Sequence, residues 1–229
     1  MRLYVIRHGE TDYNRLARVQ GWIDIPLNEN GRRLAIQTGE AWKKEGLIFD
    51  LCFSSPLSRA RETAELVLAE SGNGDVPIRF DDRLKELTFG DWEGLGCGKE
   101  NFEIPGENWS LFYNDPLSLP PFPNGESPRQ VCARTADFYQ ELIHDPALQD
   151  KTILLSVHGC SLRALLNPLY EDPSDFWQGH VPFNCAYTIV DVRNGVSTLT
   201  ARDVIAYDSS LCLNRYKALP KKGVPHDEK

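Results

Sequence analysis

The sequence predicts an α/β protein: a three-layer α/β/α sandwich with a mainly parallel central sheet and an inserted lid segment. Two observations carry this expectation. Short apolar, β-rich runs alternate with segments of helical periodicity along most of the chain, the pattern of strands covered on both faces by helices. One stretch, residues 95–125, breaks the alternation with Gly, Pro, Asn and aromatic residues, and it is too long for a simple connection. At 229 residues the chain is expected to form a single domain, 1–229, with a core that needs no disulfide or metal staple.

The apolar run Leu3, Tyr4, Val5 and Ile6 fits a strand or a helix fragment by periodicity, and Gly9 shortly after it favours the strand. Asn28 can cap a helix on which Leu34, Ala35, Thr38, Ala41 and Trp42 share a face and which Gly46 stops. Residues 50–54 read as a buried strand. Ser55 is then expected to cap a helix with Pro56 at its first position, and Leu57, Ala60, Ala64, Val67 and Leu68 line its face as far as Gly72. A short strand over 76–80, a helix over about 126–144, a β-branched strand over 152–157 and a helix after Gly159 continue the rhythm. Residues 186–192 and 196–205, joined by Arg193-Asn194-Gly195, form a terminal hairpin. The charged stretch 218–229 is expected to be a flexible tail.

Composition narrows the function. With 25 Lys+Arg against 33 Asp+Glu the formal net charge is −8, a field that repels nucleic acid and anionic membranes. An anionic substrate then requires a local basic pocket. The six cysteines contain no C-x-x-C pair, which fits reduced thiols better than a disulfide framework or a zinc site. No apolar stretch is long enough for a membrane span, and Arg7-His8 interrupts the first apolar run before it can serve as a signal peptide, so a cytoplasmic location is expected.

Two histidines occupy equivalent contexts, His8 in Ile6-Arg7-His8-Gly9 and His158 in Ser156-Val157-His158-Gly159, each at the end of an apolar run and just before a glycine. In open α/β sheets ligands collect outside the carboxyl ends of the strands, and adjacent strands lie about 4.8 Å apart. If these strands are neighbours, both imidazoles converge. Gly9 and Gly159 would let backbone approach a ligand, and the helix after Gly159 would point its free N–H groups at an anion. Arg59, just beyond another strand end, can reach the same crevice as Arg7, and paired guanidinium forks suit phosphate. Each feature alone is an ordinary loop or surface residue; their joint placement is what points to an oxyanion pocket. A metal hydrolase built on His8, Glu10 and Asp12 is a competing arrangement, with no second ligand cluster to support it.

Arg7-His8-Gly9-Glu10-Thr11 with Asn14 resembles the signature of the histidine phosphatase superfamily, which includes the phosphoglycerate mutases. Further blocks agree in order: Arg18, Gln20-Gly21-Trp22, Asp24, Pro26-Leu27 and Gly31; Ser54-Ser55-Pro56-Leu57 with Arg59-Ala60 and Thr63-Ala64; Leu84, Glu86, Gly90 and Trp92-Glu93-Gly94; Gly125-Glu126-Ser127; and Val157-His158-Gly159. The resemblance implies that His8 accepts the phosphoryl group, that Arg7, Arg59 and His158 bind it, and that Glu86 supplies a proton. It also implies that Thr11, Asn14, Gln20, Gly21 and Gly159 bind phosphate or substrate. The implied substrate is a small phosphomonoester, with no cofactor, metal, nucleic acid or membrane; the sequence assigns no oligomeric state.

Within that family the sequence departs from the mutase pattern. Mutases typically carry Tyr where this chain has Phe89, Lys where it has Cys97, and a paired Arg-Arg in the segment that reads here as Tyr113-Asn114-Asp115-Pro116-Leu117-Ser118. Lys99 could take the lysine's place after a loop shift. Loss of several charge-assisted contacts to the substrate carboxylate, each about 1.5–3 kcal/mol, disfavours retention of a phosphoglycerate. Gln20-Gly21-Trp22 and Asp91-Trp92-Glu93-Gly94 resemble the cofactor-independent phosphatase branch. Hydrolysis through a covalent phosphohistidine with Glu86 as general acid is the preferred expectation; a phosphoglycerate mutase is the alternative, and a catalytically silent phospholigand-binding module a third. The aromatic residues Phe102, Trp109, Phe112 and Tyr113 either stack on a substrate ring or pack the insertion onto the core.

Overall fold

The structure, a computed structural model, describes residues 1–106 and 109–212; the expected tail at 218–229 lies outside the described residues. Strand β1 (Arg2–Arg7) is buried on both faces, as a central parallel strand must be. Leu3 and Val5 enter one apolar cluster, Tyr4 and Ile6 the other. A four-residue helix α1 (Asp12–Arg15), not anticipated from periodicity, follows under a Thr11 capping box with Asn14. Helix α2 (Glu29–Lys44) is capped by Asn28 as expected. Strand β2 (Leu51–Ser54), helix α3 (Ser58–Glu70) and strand β3 (Ile78–Phe80) come next. Helix α4 (Trp109–Asn114) lies within the 95–125 stretch. Helix α5 (Pro128–His144), strand β4 (Thr152–Val157), helix α6 (Gly159–Leu166) and the strands β5 (Tyr187–Arg193) and β6 (Val196–Val204) complete the order.

The sheet runs β3-β2-β4-β1-β5-β6, with the first four strands parallel and the last two antiparallel. Helices α2 and α3 cover the face bearing Tyr4 and Ile6; α5 and α6 cover the face bearing Leu3 and Val5. This is the expected three-layer sandwich. The β5–β6 turn has Asn194 and Gly195 at φ of 53° and 74°, the left-handed pair that lets a two-residue hairpin match the strand twist.

One helix start differs from expectation. Helix α3 is entered through Leu57 with no side-chain cap, and neither Ser55 nor Pro56 belongs to it. The Ser55 N–H still extends the sheet by donating to the Ser156 carbonyl at 3.0 Å, and its hydroxyl is engaged 2.8 Å from His158 Nε2. A tertiary partner has taken the cap. Helix α5 starts two residues later than expected, at Pro128, because Ser127 and Gln130 form the capping box.

Segment 95–125 builds a third apolar cluster in which Trp109, Phe112 and Phe122 pack with Phe89, Phe176 and Trp177. Trp109 and Phe112 thus pack the insertion onto the core and also line a cavity described below. At the opposite end of α2, Gly31 meets the loop after β1 so closely that a Cβ there would sit 2.1 Å from the Glu10 carbonyl oxygen. Asn28 and Asn30 fix the same loop by donating to the two Glu10 carboxylate oxygens at 2.8 and 3.1 Å. Gly31→Ala should therefore force the loop off the helix and lower stability by about 1–3 kcal/mol, the usual scale of overpacking. Urea unfolding checks this; an unchanged midpoint would mean that the loop yields freely.

Candidate active site

Parallel pairing of β1 with β4 sets Arg7 opposite Val157, so the next residue on each strand is a histidine. The imidazole centroids of His8 and His158 are 5.1 Å apart. His8 Nδ1 lies 2.6 Å from the Gly9 carbonyl oxygen, which can only accept, so Nδ1 carries the hydrogen and Nε2 keeps its lone pair. Burial, reinforced by the charges of Arg59 and Arg7, pushes the His8 pKa well below its ordinary 6.5. Burial and the Arg59 charge do the same to His158, whose Nε2 is tied to Ser55. Both rings are neutral at physiological pH.

Arg59 is fully buried, and its amino groups donate to the Gly21 and Ile23 carbonyls at 2.7 and 3.0 Å. Its Nε has no hydrogen-bond partner among the described residues. Burial pushes its pKa down to about 10, which still leaves the guanidinium charged near neutrality. Arg7 is 5% exposed and donates to the Pro182 carbonyl.

Glu86 occupies a position that the sequence assigned to substrate. The first N–H groups of α6 were expected to face an anionic ligand; instead Cys160 N and Ser161 N donate to the Glu86 carboxylate at 3.0–3.2 Å. Leu87 N adds a bond of 3.0 Å to Oε1, so Oε1 takes three donors while Oε2 takes only Cys160 N. Oε2 is the less engaged of the two oxygens.

Arg7, His8, Arg59 and Glu86 share one cavity of about 900 Å³, whose wall also includes Asn14, Gln20, Gly21 and Gly159. Two expected residues stand apart from it. His158 is fully buried, and Thr11, also buried, caps α1 and donates to Gln20 Oε1 at 2.8 Å, so it shapes the wall from outside. Gly9 does not approach a ligand either: a Cβ there would meet the Gly31 carbonyl at 2.6 Å. His8, Glu10 and Asp12 do not gather, since Glu10 is tied to α2 and pairs with Arg15; among the described residues no cluster of three or more His, Cys, Asp or Glu side chains could hold a metal. Among those same residues no helix is long and apolar enough to cross a membrane.

Sequence reasoning missed the groups that hold Glu86. Arg134, on α5, donates to the carbonyls of Arg83, Lys85 and Glu86 at 2.7–2.8 Å and is held in place by Glu126 at 2.9 Å. Trp22 Nε1 donates to the same Glu86 carbonyl at 2.7 Å. The spacing of Glu126 and Arg134, two helical turns apart, was the available signal, but nothing local says what the pair would grip.

A 2,3-bisphosphoglycerate-dependent phosphoglycerate mutase of Parvibaculum lavamentivorans is 35% identical over 167 residues, 73% of this chain and 79% of that one. A mycobacterial glucosyl-3-phosphoglycerate phosphatase, solved with VO3, superposes with a TM-score of 0.73 at 30% identity, covering 89% of this chain and 98% of its own. A phosphoserine phosphatase of Entamoeba histolytica, solved with 3-phosphoglyceric acid, gives 0.71 at 29% identity over 89% and 96%. The model of the histidine phosphatase superfamily (branch 1) matches residues 3–204, and it is to this enzyme family, which includes both mutases and phosphatases, that the chain belongs.

Proposed function

We propose that this chain is a phosphomonoesterase that acts on a small phosphorylated metabolite through a phosphohistidine at His8. The observation that carries the reading is the Nδ1–Gly9 bond, which leaves a neutral imidazole with its Nε2 lone pair available in a cavity that also holds Arg7, Arg59 and the open oxygen of Glu86. Nε2 attacks phosphorus, the ester P–O bond breaks, and the departing alkoxide takes a proton from Glu86 Oε2. Water then returns a proton to Glu86 and attacks phosphorus; the P–N bond breaks and neutral His8 is restored. Phosphoryl transfer has a loose transition state with charge on its peripheral oxygens, so the buried guanidiniums of Arg7 and Arg59 lower the barrier without reorganising. His158, tied to Ser55 and centred 5.1 Å from the His8 ring, lies behind the cavity wall and supports the nucleophile from there. Thr11 acts through Gln20, and Asn14, Gln20, Gly21 and Gly159 line the phosphate end. The chain is expected to work in the cytoplasm.

Hydrolysis is preferred over phosphoglycerate mutation because of the rest of the wall. Phe89 and Cys97 line it, and segment 113–118 brings no arginine. Arg18 also lines the cavity but donates to the Gly94 carbonyl at 2.6 Å and pairs with Glu103 at 3.4 Å. Among the described residues of the wall, Lys99 is the remaining cation. The mutase reading keeps its footing in the 35% identity to the Parvibaculum enzyme.

Phosphate release from a panel of phosphomonoesters should exceed interconversion of 2- and 3-phosphoglycerate, with or without a bisphosphoglycerate primer; a faster mutase rate would reverse the assignment. Rapid quench with labelled substrate should trap an acid-labile, base-stable phosphoenzyme, absent from His8→Ala.

Glu86→Gln should slow an alkyl phosphate far more than p-nitrophenyl phosphate, whose leaving group needs no proton. Arg134→Met should show the same pattern at about 10-fold, a fraction of the roughly 100-fold to 10,000-fold that a well-placed general acid contributes. Equal losses on both substrates would move the proton donor elsewhere.

The nucleophile is active when neutral, and the His8 pKa is depressed, so kcat/KM should stay flat as pH falls to 6.5 and drop only below it. The same depression makes the unfolded chain bind more protons, so stability is lost as pH falls below about 6.5. An acid limb centred above 6.5 in the free enzyme would contradict the assignment.

A further inference from the structure

The phosphate end of the cavity holds Arg7, His8, Arg59 and Glu86. Beyond it the wall mixes large apolar side chains, among them Phe89, Trp109, Phe112 and Trp177, with Arg18, Lys99, Ser110 and Asn114. Most of its aromatics are already partnered. Trp109 stacks on Phe112 at 5.1 Å and 14°, Phe89 meets Phe112 edge-on at 5.3 Å, and Phe112 meets Trp177 at 5.2 Å. These rings use each other to build a stiff wall.

Phe102 differs. It lines the cavity, is 52% exposed, and is the one aromatic of segment 95–125 with no ring contact among the described residues. A lone exposed phenylalanine on an open surface needs no explanation. This one is held in place from both sides. Asn101 donates to the Leu16 carbonyl at 2.8 Å and accepts from Gly98 N at 3.0 Å, while Glu103 accepts from Gly96 N at 2.7 Å and pairs with Arg18. The neighbours of Phe102 are thus anchored to the chain at 16–18 and 96–98, and the residue between them lines the cavity from a fixed backbone position. A ring so placed on a binding wall needs no backbone ordering to meet a ligand.

We propose that Phe102 is a specificity-determining residue and that the preferred substrates are phosphomonoesters whose alcohol carries a planar apolar group, which packs against this ring. The inference rests on the phosphatase reading for its chemistry. Against Phe102 itself a polyol or carboxylate would lose water to a ring that offers no hydrogen bond, whereas a planar ring gains contact there.

The test compares ethyl phosphate, glycerol 3-phosphate, benzyl phosphate and 2-naphthylmethyl phosphate, all esters of alcohols that need a proton on leaving. The wild-type protein should show kcat/KM rising by about 10-fold or more from ethyl to 2-naphthylmethyl phosphate, within the range of a stacking contact. Phe102→Ala should raise KM for the naphthyl ester by about 10-fold with little change in kcat, a loss of about 1.4 kcal/mol, and Phe102→Trp should keep the preference. Equal turnover of glycerol 3-phosphate and the naphthyl ester by the wild type, or equal loss on ethyl and naphthyl esters in Phe102→Ala, would overturn the proposal while leaving the phosphatase reading standing. If no ester were hydrolysed, that reading would fail instead. Calorimetric binding of 2-naphthylmethylphosphonate, which cannot turn over, would then decide the inference: about 10-fold weaker binding to Phe102→Ala supports it, and equal binding overturns it.

Discussion

The parallel pairing of β1 with β4 is the constraint on which the site depends. Its register sets Arg7 against Val157, and one residue further each chain leaves the sheet at a histidine. The His8 N–H still donates to the Val157 carbonyl at 2.9 Å, so the two imidazoles meet where the ladder ends. A slip of one residue would turn every side chain of β1 to the opposite face, and both faces are apolar cores, so packing on two sides holds the register that the chemistry needs. Glu10, fixed to α2 by two asparagines, keeps the loop beyond the strand in the same place.

What was legible in the sequence followed from this local regularity. Strands buried on both faces leave continuous apolar runs, caps and glycines mark helix ends, and Asn194-Gly195 marks its own hairpin, so the layers and most element bounds could be read. The misreadings at the site share one cause, a partner on another segment of the chain. Ser55 has the chemistry of a cap but faces His158, about a hundred residues on. Gly9 leaves room for the backbone of Gly31, not for a ligand. The N–H groups of α6 hold Glu86, which lies more than seventy residues earlier. Arg134 could not be singled out, since its importance lies in three carbonyls of another segment.

The electrostatics of the cavity follow from burial. Arg59 lies out of water with no carboxylate within ion-pair distance among the described residues, bonded only to neutral carbonyls. Its depressed pKa shows that the charge is held at some expense. A phosphoryl group would supply the missing counter-charge, so the favourable interaction is kept for the moment of binding. The same two guanidiniums add to burial in disfavouring a positive charge on His8, which keeps the ring neutral. In the proposed reaction one pair of cations would thereby serve both the electrophile and the nucleophile.

The anion-binding end of α6 completes this division of labour. A helix N-terminus aimed at the phosphate would add attraction to a pocket already rich in positive charge, and tighter ground-state binding alone does not speed the chemical step. Spent on Glu86, those N–H groups do something the guanidiniums cannot: they fix one carboxylate oxygen and leave the other open. Arg134 and Trp22 hold the backbone of the same residue, so the orientation of Oε2 is set from both its main chain and its side chain. In the proposed reaction the fold would thus use delocalised cations where charge must be stabilised and directional N–H donors where a proton must be aimed.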